Sequence, residues 1–165
     1  MNLVFRMIQV MLTAMLGGRM DVTEEGRVRL RCWPNDLDIN LHMNNGRYLT
    51  IMDLGRLDLL LRTGLWRTMR ERKWYPVVAA EKIAFRRSLN AFDTFELTTQ
   101  VIGWDEKWLY IEHRMERDGN VMAQAFIKGL FLGPEGKVPM ADLVAAAGHE
   151  GPSPEMDPKV VESLS

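Results

Sequence analysis

The sequence predicts an α+β domain in which a curved antiparallel sheet of five strands wraps around one long buried helix. Three observations carry this expectation. Arg27 to Trp33 alternates, with arginines at 27, 29 and 31 interleaved with Val28, Leu30 and Cys32, the mark of a half-buried strand. Asn44 to Arg62 then loses that alternation and turns leucine-rich. Beyond it, four strand-like runs follow one another across short turn-forming segments, which forces antiparallel neighbours.

The 165 residues suit one compact domain. Lysine and arginine total 21 against 22 acidic residues, a formal charge of -1. That balance excludes nucleic acid as a partner, because binding it needs a strong basic excess. A hydrophobic fraction of 47% supports a real core. One cysteine, Cys32, rules out an internal disulfide and any cysteine-rich metal site. It fits a reducing compartment, so a cytoplasmic location is expected.

Residues 1–20 are expected to form an amphipathic N-terminal helix. Asn2 to Leu16 is apolar except at Asn2, Arg6, Gln9 and Thr13, which share one narrow helical seam. Such a helix is about 22 Å long, short of the roughly 30 Å hydrocarbon layer. It suits packing on the domain or a subunit contact. A weak membrane-surface contact through residues 2–16, or a cleaved signal, are the alternatives, although the usual basic polar face is missing. Gly17 and Gly18 provide a stop. Residues 21–147 read as the single folded domain, and 148–165, rich in glycine and proline, as a mobile tail.

Within the domain, Val28, Leu30 and Cys32 face one way and Arg27, Arg29 and Arg31 the other. The helix from Asn44 to Arg62 has apolar residues on most of its circumference, with Asp53/Arg56 and Asp58/Arg62 at ion-pair spacing. Gly55 marks a close approach to the helix. A short basic segment, Trp66 to Lys73, completes the connection. The later strands are read as Tyr75–Leu89, Phe95–Trp104, Trp108–Arg117 and Val121–Leu132, and Met140 to Ala147 as a terminal helix. His113 shares a face with Leu109, Ile111 and Met115, the position of a core histidine.

Chemistry concentrates in the loop before the long helix, Pro34 to Asn45. Asp36, Asp38, Asn40, His42, Asn44 and Asn45 crowd into it, next to helix-start amides that have no intrahelical acceptor. Capping and turn formation would use the same residue types. So would stabilisation of an oxyanion beside an activated water.

The run Asp36-Leu37-Asp38-Ile39-Asn40-Leu41-His42-Met43-Asn44-Asn45-Gly46-Arg47-Tyr48 resembles the D-x-D-x-x-G-H-V-N-N-x-x-Y signature of hotdog-fold thioesterases. That superfamily includes 4-hydroxybenzoyl-CoA thioesterase and the plant acyl-ACP thioesterases. The run also resembles the subfamily around thioesterase superfamily member 6, which shares P-N-D-L-D-x-N-x-H-M-N-N-x-R-Y. The resemblance continues through Leu54-Gly55-Arg56 and Phe85-Arg86-Arg87 and covers roughly Val28 to Gly148.

It implies a hotdog fold and hydrolysis of an acyl-CoA thioester, with acyl-ACP as a second substrate class. By the same resemblance Asp38 matches the catalytic aspartate, as general base or nucleophile. Asp38, Asn40 and His42 match the plant enzymes' acid, amide and imidazole. The Asn44/Asn45 helix start polarises the thioester carbonyl, and Tyr48, Arg86 and Arg87 contact substrate. Two departures stand out: Leu41 replaces the glycine before the histidine, and Ser88 replaces a glutamate of the plant enzymes. A non-catalytic acyl-thioester binding protein and a hotdog dehydratase or hydratase are the competing readings. No metal or redox cofactor is expected, with CoA entering only as part of the substrate. A homodimer or a dimer of dimers is expected, since a sheet's edge strand needs a partner.

Overall fold

The computed structural model describes residues 2–165. The chain runs through helix α1 (Leu3–Leu16), strand β1 (Gly26–Arg31) and a single 3-10 turn at Pro34–Asp36 to helix α2 (Asn45–Arg62). Helix α3 (Leu65–Arg72) then leads into strands β2 (Tyr75–Phe85), β3 (Thr94–Trp104), β4 (Leu109–Arg117) and β5 (Asn120–Gly133). A two-residue β6 (Gly136–Lys137), helix α4 (Met140–Ala146) and helix α5 (Pro158–Ser163) close the chain. The antiparallel sheet has the order β1-β3-β4-β5-β2, with β6 added beside β5. This is the curved sheet around one helix that the sequence predicts, a hotdog fold.

Register shifts at Val78/Ala80, Val101/Gly103 and Met115/Glu116 interrupt three ladders. Each is a local bend, and bends of this kind let a sheet curl around a helix. In α2 only Asn45, Gly46 and Asp53 are exposed, as the leucine-rich circumference requires. Gly55 explains how closely helix and sheet meet: a Cβ there would overlap Thr99 Oγ1 and lie 3.0 Å from Leu97 Cδ2. One core cluster surrounds the first half of α2, with Tyr48, Ile51, Met52, Phe95 and Leu97. A second surrounds its end, with Leu59, Leu65, Val101, Ile111 and Ile127.

Between these clusters lies a polar contact. His113 is fully buried, with Nδ1 2.9 Å from Thr99 Oγ1 and Nε2 3.5 Å from Arg56 Nη1. Burial, reinforced by the Arg56 charge, pulls its pKa down to about 3. The ring is therefore neutral, with Arg56 donating to Nε2 and Nδ1–H donating to Thr99. Arg56 also pairs with Asp53, as the helical spacing anticipates.

The two edges of the sheet differ. At β1, α1 lies along the free edge: Gln9 Nε2 donates to Arg29 O (3.4 Å) and Arg6 Nη2 to Arg31 O (3.0 Å). At the other end, β2 is the terminal strand, and its side chains are mostly exposed, including Tyr75, Val78 and Phe85. The C-terminal residues lie against the sheet. Trp104 N donates to Ser153 Oγ (2.8 Å), Lys128 Nζ donates to Leu164 O (3.5 Å), and Leu164 is buried. His149 Nδ1 donates to the Asp21 carboxylate at 3.1 Å. Hydrogen bonds from the Thr23 hydroxyl and amide, with His149 beside them, hold Asp21 down at about 2. Among the described residues no helix is long and apolar enough to cross a membrane.

Candidate functional site

The polar loop is a stapled hairpin. Leu37 and Met43 pair across it, and His42 pairs with Asn90. Asp38 N donates to His42 O (2.9 Å), and Leu41 N to Asp38 O (3.0 Å). Met43 N reaches Leu89 O and Asn44 N reaches Asp36 O, each at 2.8 Å. The loop is therefore fixed on two sides and delivers Asn44 as the N-cap of α2, its Oδ1 accepting from Gly46 N at 2.8 Å.

Leu41 has φ +59°, the left-handed region that favours glycine. The glycine-like turn thus survives without the glycine, at a cost of about 1–2 kcal/mol. With Leu41 72% and Ile39 97% exposed, the tip offers little burial to offset that cost.

The two acids of the loop play opposite parts. Asp36 is fully buried and accepts from five donors: both terminal nitrogens of Arg6, Arg47 Nε and Nη2, and Trp33 N. Burial alone would raise its pKa. The bonds from Arg6, Trp33 N and Arg47 prevail, and the carboxyl stays below its ordinary value. Asp36 is a structural anion with no acceptor capacity to spare. Asp38 is half-buried, and its Oδ1 holds Asn40 N at 2.8 Å. Oδ2 carries no hydrogen bond from any described residue. The side chains of Asn40 and His42 are exposed and without a described partner.

Of the two helix-start amides, Asn44 N–H is committed to Asp36 O, whereas Asn45 N–H has no acceptor among the described residues. Asn45 itself is an exposed residue. Tyr48, one turn on, is buried and meets the Phe85 ring edge-on at 5.1 Å. Burial pushes its phenol pKa up, against a hydrogen bond from the Leu89 backbone that lowers it.

Arg86 and Arg87 lie just beyond Phe85, both exposed. The strand expected through Leu89 ends at Phe85, and both arginine amides donate to Met122 O, at 2.9 and 3.1 Å. The two residues therefore lie outside the regular ladder of β2. With Asn120, Val121 and Gln124 they line an open depression, where Arg86 Nη2 donates to Gln124 Oε1 (3.2 Å).

The sequence reading missed Arg6, which reaches Asp36 from 30 residues away. It also missed an apolar cavity of about 270 Å³ under the end of α2, walled by Leu57, Leu60, Val77, Ile111 and Ile127, with Arg56 among its few polar neighbours. Among the described residues no group of three or more histidine, cysteine or acidic side chains is placed to hold a metal.

Comparisons with known proteins converge on one family. A family model described as the thioesterase-like superfamily matches residues 32–164. Protein THEM6 of Danio rerio is 41% identical over 105 residues, covering 62% of this chain and 52% of that relative. Protein THEM6 of Drosophila melanogaster is 34% identical over 110 residues, covering 65% and 57%. The chain thus spans about half the length of the curated relatives it matches. Among solved structures, the probable thioesterase YbaW of Escherichia coli superposes with a TM-score of 0.68 at 22% identity, over 73% of this chain and 94% of that one. The gentisyl-coenzyme A thioesterase BH1999 gives 0.66 at 18% identity, over 75% and 100%. Its sequence match over four-fifths of its length, and the fold it shares with these structures, place the chain in the thioesterase-like superfamily.

Proposed function

We propose that the protein hydrolyses an acyl-CoA thioester to the free acid and CoA. The observation that carries this reading is the contrast within the loop: Asp36 is saturated, while Asp38 keeps one oxygen free beside a helix whose Asn45 N–H is also free. An unpaired carboxylate and an unpaired amide at a helix start are the two parts that acyl transfer to water requires.

In this reading the thioester carbonyl accepts from Asn45 N–H, aided by the positive end of α2. The Asp38 carboxylate takes a proton from water as the water oxygen attacks the carbonyl carbon. Collapse of the tetrahedral adduct expels the CoA thiolate, which is then protonated. Attack by Asp38 itself, giving a mixed anhydride, is the variant of this route. Asn40 orients the water and His42 donates toward the leaving sulfur. Asn44 keeps the helix start in place, Tyr48 walls the site, and Arg86 and Arg87 receive the CoA phosphates. An acyl-ACP donor would present the same thioester. The solved structure of SAV2348 from Staphylococcus aureus, at 12% identity and a TM-score of 0.65, is described as a complex with CoA, which supports that choice of carrier.

The acyl portion is assigned to the apolar cavity. Leu57 lies twelve residues beyond Asn45 on α2, about 18 Å along the axis, so the cavity is remote from the loop of its own chain. A homodimer resolves this. If two copies pair antiparallel along the free edges of β2, the Val77 end of one strand lies beside the Phe85 end of the other. The cavity of one copy then serves the loop of its partner.

The test is thiol release from a panel of acyl-CoA chain lengths, compared with ligand-induced thermal shift. Wild type should release thiol, and Asp38→Asn should lose about 10²–10⁴-fold in rate while keeping its unfolding temperature. An Asp38→Asn rate equal to wild type overturns the assignment. Binding without release by the wild type favours the acyl-thioester binding reading.

A further inference from the structure

Helix α1 is built with its apolar side outward. Arg6, Val10 and Ala14 are buried against the domain, and Gln9 turns to β1. At about 100° per residue, the exposed Val4, Phe5, Ile8, Leu12, Met15 and Leu16 fill a continuous arc of about 120° on the opposite side. Phe5 is 62% and Leu16 89% exposed. The only charged side chain of α1 is Arg6, and it is spent on Asp36. A stripe this large on a water-facing surface marks a docking face.

What borders the stripe identifies its occupant. Arg27, Arg29 and Arg31 project outward from β1 and, with Gln9 and Thr13, line the groove alongside α1. Arg27 is paired with Glu25 and Glu96. Among the described residues neither Arg29 nor Arg31 meets a carboxylate, and Arg31 lies 5.9 Å from the Trp33 ring centre. An apolar arc with an uncompensated cationic border matches the layering of an anionic lipid surface, in which acyl chains lie beneath phosphates.

We propose that α1 is a peripheral docking face for an anionic bilayer. The helix lies in the plane of the surface, with Phe5 and Leu12 among the acyl chains and Arg29 and Arg31 against the headgroup phosphates. At fourteen residues it is too short to span. A second copy is the poorer occupant, since two-fold packing of α1 on itself would gather four unpaired guanidinium groups. The face also sits at the opposite end of the sheet order from β2, so pairing along β2 leaves it open.

The experiment is co-sedimentation of the full chain with vesicles of phosphatidylcholine alone and of equal parts phosphatidylcholine and phosphatidylglycerol. Binding is expected to the anionic vesicles and to weaken as salt is raised. Phe5→Ser/Leu12→Ser should abolish it without moving the unfolding temperature, because both side chains already face water. Arg29→Gln/Arg31→Gln should lower partitioning roughly 30-fold. No binding to either vesicle overturns the proposal, as does equal binding to both. A Phe5→Ser/Leu12→Ser protein that changes oligomeric mass instead would overturn it in favour of a second copy. None of these measurements reads thiol release, so they stand or fall apart from the hydrolytic reading.

Discussion

Asp36 and Asp38 stand two positions apart, and their surroundings divide the work between them. Five donors leave Asp36 as an anchor for the loop, and its folded pKa lies below its ordinary value. Its contribution to stability is therefore complete above the ordinary value of 3.8 and is lost as acid carries it through the lowered one. His113 acts in a higher window. Its ring is neutral in the fold, with a pKa drawn from 6.5 to about 3. Protonation favours the unfolded chain, so His113 stability is full above pH 6.5 and declines as the solution is acidified toward about 3. Urea unfolding across that window should show the decline in wild type and a flatter profile in His113→Gln. Leu41 offers a gain. Leu41→Gly relieves the left-handed backbone at the cost of some chain entropy, and a net stabilisation of up to about 1 kcal/mol is expected from the urea midpoint.

At the level of elements, α1 acts as a clasp. Its Arg6 neutralises Asp36, and its side chains satisfy the carbonyls of β1. Arg6→Met should cost about 3 kcal/mol, the low end for a broken buried pair because Arg47 remains. Denaturant unfolding measures that directly. In Gly55→Ala the added methyl would meet Thr99 and Leu97, so α2 must lift from the sheet, with an expected loss of about 1–3 kcal/mol. The strands and α2 were legible in the sequence because period-2 and leucine-rich patterns report directly on which faces are buried. The loop was legible through its resemblance to a known signature. The direction of the α1 seam was not, since periodicity locates a polar stripe without saying what it faces, and Asp36 lies 30 residues away. The contacts of Ser153 and Leu164 were equally hidden, because composition carries no information about single hydrogen bonds. Arg86 and Arg87 lie beyond β2, which ends at Phe85 and not at Leu89 as the sequence pattern suggests.

For the molecule as a whole, the sheet's two ends are treated unevenly, α1 lying along β1 while β2 is left open. The β2 edge is free and partly apolar, so pairing there is the expected route to the homodimer. Val78→Lys places a charge on that edge, and sedimentation equilibrium should then report a single chain where wild type reports two. Acyl-CoA turnover should fall with it, since the cavity and the loop would no longer come from different copies. The edge covered by α1 has the reverse consequence. A strand ladder with two open ends can recruit copies without limit and grow into fibres. Here α1 covers one terminus, so pairing along β2, where it occurs, uses up the remaining open edge and edge-to-edge growth stops at two.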